Sequence, residues 1–240
     1  VAQVDHFVAI SQSVRDEYIA LGIDKGQISS IPNGFGDERF VDAKTAAVRL
    51  EIRQRFNLEA SDFVILTVGR NHPKKNFKEV IKVAGLLRDK APDIKFVICG
   101  SDVVNLGDVP RNVLLLDPLV EQWGRERIPN DNIIALYQCS DAFFFPSFVE
   151  TFGIVLAEAM SFGLPIVCSN VSACDEVIGH GKYGLSCAPD DSVAFARHIE
   201  SLYRCEHYRK SFAVKSRERS LDFTWNAVVA RYLDLFRHSI

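Results

Sequence analysis

The sequence predicts an α/β fold, a parallel sheet covered by helices on both faces, and three observations carry that expectation. Short β-branched or aromatic runs alternate with longer segments of helical period. Several of the short runs, FVILTV and AFFF among them, are apolar throughout, as strands buried on both sides are and half-exposed strands are not. A chain of 240 residues, 48% hydrophobic and 25% charged, is also long enough to bury one substantial core.

In chain order, HFVAI (6–10) and QISSI (27–31) read as strands on either side of a helix at 13–21, where Ser13 and Asp16 resemble a capping box. IPNGFGDERF (31–40) is rich in turn residues and pivots on Asn33-Gly34. A helix at 43–56 leads to the strand FVILTV (63–68), a helix at 77–89, and the strands IKFVIC (94–99) and VLLL (113–116). Residues 117–130, DPLVEQWGRERIPN, lack any period and read as a surface loop. A helix at 131–139, the strand AFFF (142–145), a helix at 152–162 and the strand PIVCS (165–169) follow, and helices at 191–203, 206–219 and 224–237 close the chain.

Composition removes several function classes. A net charge of -3 and a pI near 6.1 give no general basic footprint for nucleic acid or an anionic membrane. No apolar run approaches the roughly 20 residues of a membrane helix. The cysteines show no CxxC spacing, and Cys99, Cys139 and Cys168 lie in or beside apolar runs, which fits free thiols in a reducing compartment. The histidines form no HxH or HExxH pattern, so a zinc site is not expected. No GxGxxG follows a strand, which argues against a dinucleotide-dependent dehydrogenase.

Two stretches carry chemistry, both at the carboxyl ends of predicted strands, where open parallel sheets bind ligands. TVGRNHPKKN (67–76) passes Gly69 and presents Arg70, Lys74 and Lys75 before a helix, a cationic group suited to a diphosphate and equally to a solvated loop. His72 lies in the same loop. PSFVETFGIVLAEAM (146–160) puts Glu150 and Thr151 in a strand-to-helix turn, and free N–H groups around Phe152, Gly153 and Ile154 would receive phosphate. Glu158 sits among apolar neighbours and needs a partner, since an unpaired buried carboxylate is costly. Two partners remain open, a lysine or arginine of the chain or a vicinal diol such as a ribose. After VLLL, Asp117 and Pro118, followed by Leu119, leave the same edge, where backbone groups would meet a nucleobase.

In order, FVAIS, SSIPNGFGDERF, ILTVGRNHPKKN, SDAFFFPSFVETFGIVLAEAMSFGLPIV and GKYGLSCAPDD resemble the family 4 retaining glycosyltransferases of the glycosyltransferase-B fold. The full setting of the two glutamates, PSxxExFGxxxxEAMxxGxPxV, is the specific part. The resemblance implies a Rossmann-like donor-binding domain at 41–222. It also implies a connecting segment at 1–40 from a preceding acceptor-binding domain, and a helix at 223–240 that packs back toward that domain. Arg70 and Lys75 would neutralise the donor diphosphate, Glu150 would meet hexose hydroxyls and Glu158 the ribose, making Arg70, Lys75 and Glu150 the catalytic set. Gly69, Thr151, Phe152, Gly153, Ile154, Pro118 and Leu119 would complete the donor site.

The implied reaction is hexosyl transfer from a nucleotide diphosphate sugar to an acceptor hydroxyl, with retention, no cofactor and no metal, in polysaccharide or glycoconjugate biosynthesis. The acceptor, a glycan or lipid-linked sugar, would be held by the other domain, so this chain alone would bind donor but transfer poorly. No nucleic-acid partner and no transmembrane segment are expected, and the location would be cytoplasmic, with peripheral membrane attachment of the intact enzyme left open. A non-catalytic nucleotide-sugar-binding module and half of a nucleotide-sugar epimerase of the same architecture are the alternatives. The sequence departs from the family where Phe35-Gly36 follow Asn33-Gly34 in place of the usual valine and aspartate, and where ICGSD lacks a second glycine.

Overall fold

The computed structural model of the chain describes residues 4–36, 40, 45–117 and 130–239. Its centre is a six-stranded sheet made of β3 (Phe63–Val68), β4 (Ile94–Cys99), β5 (Val113–Leu116), β6 (Ala142–Phe145), β7 (Ile166–Ser169) and β8 (Leu185–Cys187), in the spatial order β5-β4-β3-β6-β7-β8. Every neighbouring pair is parallel. From β3 the chain winds outward to β5, then returns to the centre and winds the other way from β6 to β8. The topological switch point therefore lies between β3 and β6.

Helices connect the strands: α1 (Gln12–Ala20), α2 (Ala46–Arg55), α3 (Phe77–Leu87), α4 (Asp131–Cys139), α5 (Ile154–Ser161), α6 (Ser172–Val177), α7 (Ser192–Arg204), α8 (Glu206–Ser220) and α9 (Trp225–Ser239). The two-residue period of β3 divides the core into two layers. Phe63 and Ile65 pack with Phe77, Val80 and Val83 of α3 and with Phe195 and Ile199 of α7. Val64, Leu66 and Val68 face the other way, onto Leu136 of α4 and Leu156 and Met160 of α5. Both faces are dry, so the strands could not alternate apolar with polar. Each fully buried Leu, Ile or Phe contributes ~1.5–3 kcal/mol over leaving it in water.

Four predicted strands, 63–68, 94–99, 113–116 and 142–145, coincide with the observed ones, and the differences elsewhere have local causes. β1 (Phe7–Ala9) and β2 (Ile28–Ser30) pair with each other in a separate two-stranded parallel sheet over Ala9, Ile23 and Ile28. The cap of α1 is Ser11 rather than Ser13, its hydroxyl accepting from the Val14 amide. The predicted helix 152–162 starts later, at Ile154, because Gly153 takes φ +83 and ends the preceding turn. β8 and α6 escaped sequence reading because three and six residues are too few to establish a period. Most of the 117–130 loop, with Pro118 and Leu119, lies outside the described residues.

Segment 31–36 joins the sheet domain to its last helix. The Phe35 amide donates to the Phe223 carbonyl, and Gly34 lies so close under the Trp225 indole that a Cβ there would come within 2.4 Å of it. Along the outer side of α9, Trp225, Val229, Leu233 and Phe236 are exposed, as are Val4 and Leu21 in the small sheet region. Among the described residues no helix is long and apolar enough to cross a membrane.

Candidate functional site

Parallel strands deliver their following loops to one edge of a sheet, and at the switch point two of those loops part and leave a crevice. Here they are the β3–α3 loop, 69–76, and the β6–α5 loop, 146–153. Backbone and side-chain hydrogen bonds lock them together. The Phe148 amide donates to the Lys74 carbonyl (2.8 Å), and buried Asn76 donates its side-chain amide to the carbonyls of Pro146 (3.1 Å) and Pro189 (2.8 Å). Asn76 can do so because it adopts φ +55 at the start of α3, a left-handed conformation that asparagine tolerates better than most residues. Its role was not read from the sequence, where Asn after Lys-Lys looks like ordinary loop chemistry.

Lys75 reaches from the first of these loops to the second. Its Nζ lies 2.5 Å from Glu150 Oε1 and 5.0 Å from the centre of the Phe145 ring. Fully buried Ser147 has one proton to give and three acceptors within reach, Glu150 Oε1 at 2.9 Å and the carbonyls of Lys74 at 2.8 Å and Val149 at 3.2 Å. The Glu150 side chain is 11% exposed and that of Lys75 26%, so both keep a path to solvent. Ser169, at the end of β7, bonds the Ser147 carbonyl and supports this arrangement from below. Two residues that the sequence reading linked to different parts of a ligand are thus a single ion pair.

Arg70 is exposed and makes no hydrogen bond or ion pair with any other described residue. The loop that carries it is fixed by its backbone, with the Gly69 amide donating to the Cys99 carbonyl and the Asn71 amide to the Ser101 carbonyl. At Gly100 a Cβ would stand 1.7 Å from the Gly69 carbonyl oxygen, so only glycine permits this approach. His72 serves the loop itself, its Nδ1 accepting from the Lys74 amide. Asp117 likewise accepts from the Val103 amide through Oδ1 at 3.2 Å.

Beside Glu150 begins α5. The N–H groups of Thr151, Phe152, Gly153 and Ile154 meet no acceptor among the described residues. With the helix dipole behind them they form a place for negative charge. Phe152 and Gly153 are buried, whereas Thr151 and Ile154 are exposed.

One turn further, Glu158 is 7% exposed and pairs with no lysine or arginine among the described residues. Its partner is the hydroxyl of Tyr137 on α4, which donates to Oε2 at 2.9 Å. Burial raises the Glu158 carboxyl to about 7, and the Tyr137 hydrogen bond holds it lower than burial alone would. Exposed Arg70, the Lys75–Glu150 pair, helix-start amides without an acceptor among the described residues and, one turn into α5, a buried carboxyl thus all follow the carboxyl ends of the neighbouring strands β3 and β6. Among the described residues no three His, Cys, Asp or Glu side chains are grouped to hold a metal ion.

Residues 48–219 match a family model described as glycosyl transferases group 1. Over its full length the chain is 26% identical to a D-inositol 3-phosphate glycosyltransferase of Salinispora tropica, covering 52% of that protein. Over 81% of its length it is 26% identical to the O-antigen chain mannosyltransferase B of Escherichia coli, covering 50% of it. The chain spans about half the length of the curated relatives it matches. Among solved structures, Anabaena HepE in complex with UDP superposes with a TM-score of 0.81 at 20% identity, over 98% of this chain and 64% of HepE. At that identity the likeness establishes the fold.

Proposed function

The chain belongs to the group 1 glycosyl transferases, and from that premise we propose that it is the donor-binding half of a retaining hexosyltransferase of the glycosyltransferase-B fold. The observation that carries the reading is the Lys75–Glu150 pair linking the loops after the neighbouring strands β3 and β6, which also carry exposed Arg70 and helix-start amides, none of which has a partner among the described residues. A nucleoside diphosphate sugar has matching chemistry: two phosphates for the cations and amides, hydroxyls for the carboxylates.

In this reading Arg70 and Lys75 neutralise the diphosphate, with Gly69, Thr151, Phe152, Gly153 and Ile154 lining the phosphate and sugar. Glu150 accepts from hexose hydroxyls, Glu158 from the ribose, and Pro118 and Leu119 border the nucleobase. As the bond from the anomeric carbon to the diphosphate oxygen breaks, negative charge grows on the leaving group, and fixed cations and N–H dipoles stabilise it. The acceptor oxygen bonds the anomeric carbon from the same face, and its proton passes to the departing phosphate. Glu150, held by Lys75 and Ser147, positions the sugar rather than attacking it.

Residues 1–40 then connect to an acceptor-binding domain, 41–222 hold the donor, and 223–240 return toward that domain. The exposed apolar side of α9 supports this assignment, since a helix normally buries such a face. Calorimetry of UDP-, GDP-, ADP- and dTDP-sugars against the chain tests the donor site. At least one donor should bind, and Arg70→Ala and Glu158→Ala should each weaken it roughly 10- to 100-fold, the worth of a charge-assisted hydrogen bond. If both variants bind that donor like wild type, the assignment is wrong.

A further inference from the structure

Tyr137 lies on α4, 21 residues before Glu158, and belongs to none of the stretches that suggest a sugar-nucleotide site. It is fully buried, and its ring is fixed on two sides. It stacks on Phe162 at 5.4 Å with the planes 7° apart, and it packs obliquely on Phe143 of β6 at 5.8 Å. A ring held this way leaves its hydroxyl little freedom, and that hydroxyl donates to Glu158 Oε2 at 2.9 Å. Oε1 accepts no hydrogen bond from any described residue. A lysine or arginine here would cancel the charge of the carboxylate, whereas a neutral hydroxyl orients it and leaves the charge for a ligand.

Resting on the donor-binding reading, we infer that Tyr137 is a positioning residue of that site: its hydroxyl fixes Oε2, so that Glu158 presents Oε1 to a hydroxyl of the nucleoside. Elements packed around α5 carry other titratable or charged groups: Cys168 on β7, Cys174, Asp175 and Glu176 on α6, and Arg217 on α8, whose guanidinium donates to the Phe162 carbonyl. Cys99 on β4 lies near Tyr137. Among the described residues, only Tyr137 hydrogen-bonds the Glu158 carboxyl. Because that bond favours the ionised carboxyl, Tyr137 also governs the pH range over which Glu158 can serve as an anionic acceptor.

The test has two arms. Carbon-13 labelling of glutamate carboxyls allows Glu158 to be titrated by NMR in the ligand-free chain, with Glu158→Gln assigning the resonance. Wild type should titrate near neutrality and Tyr137→Phe about one pH unit higher or more. Calorimetry with UDP and with GDP from about pH 6 to about pH 9 forms the second arm. Tyr137→Phe should bind the nucleotide that wild type binds about fivefold more weakly near pH 7 and approach wild type near pH 9, where both carboxyls are ionised. A purely structural role would weaken binding equally at every pH. An unchanged Glu158 titration in Tyr137→Phe, or a deficit independent of pH, overturns the inference. If neither nucleotide binds wild type at any pH, the donor reading fails, and the titration still decides whether Tyr137 governs the carboxyl.

Discussion

At the scale of single residues, the site rests on acidic groups whose environments differ. Glu150 is held by Lys75 and Ser147, whereas Glu158 is buried against one phenol. The folded chain therefore retains a proton on Glu158 between its ordinary value, 4.5, and about 7, in a range where the unfolded chain has released it. Stability contributed by this group consequently falls as pH rises through that window, by roughly 3 kcal/mol in all. Glu158→Gln should flatten this component, read as the difference in urea unfolding free energy between about pH 4.5 and about pH 8. A slope unchanged in the variant would show that the carboxyl is not strained by burial.

The need for a partner at Glu158 was legible in the sequence, because a glutamate within an otherwise apolar helix is expensive. Its identity was not. Tyr137 reads as one more apolar position of a buried helix, and only the packing of α4 against α5 and β6 brings its hydroxyl to the carboxyl. Lys75 and Glu150 were each singled out by sequence, yet their pairing spans 75 positions and depends on β3 and β6 being neighbours.

At the scale of elements, the loops at the switch point are shaped by backbone contacts that few side chains allow. Gly100→Ala would drive a Cβ into the Gly69 carbonyl, a contact that no rotamer can relieve because both partners are backbone. The strands β3 and β4 would have to separate locally. We expect a loss of about 3 kcal/mol or more in unfolding free energy, the scale of severe overpacking, together with weaker nucleotide binding through displacement of Arg70. An alanine variant with wild-type stability and affinity would contradict the close approach. The four strands that sequence placed residue for residue are those with long apolar runs, and the short edge strand β8 and the helix α6 were missed because side-chain period needs length to register. The later start of α5 likewise follows from the positive φ of Gly153, a local choice that its neighbours in sequence do not dictate.

At the scale of the molecule, α9 leaves Trp225, Val229, Leu233 and Phe236 exposed on one side. If the acceptor-binding half of the intact enzyme covers that side, this chain on its own should self-associate through it. Leu233→Asp with Phe236→Asp should reduce self-association in sedimentation and the binding of a hydrophobic dye, while nucleotide affinity stays within about twofold, since α9 carries none of the residues proposed to hold the donor. Equal sedimentation of variant and wild type would remove this support for the domain assignment.

By itself the sequence determined the layered α/β class, the central strands and the stretches that bear cations and carboxylates, because hydrophobic period and local turn chemistry are written along the chain. Tertiary structure decided the strand order, the pairing of Lys75 with Glu150 and the choice of Tyr137 as partner to Glu158. Those depend on which distant segments come to lie side by side, and many orders of parallel strands satisfy the same local pattern until packing selects one.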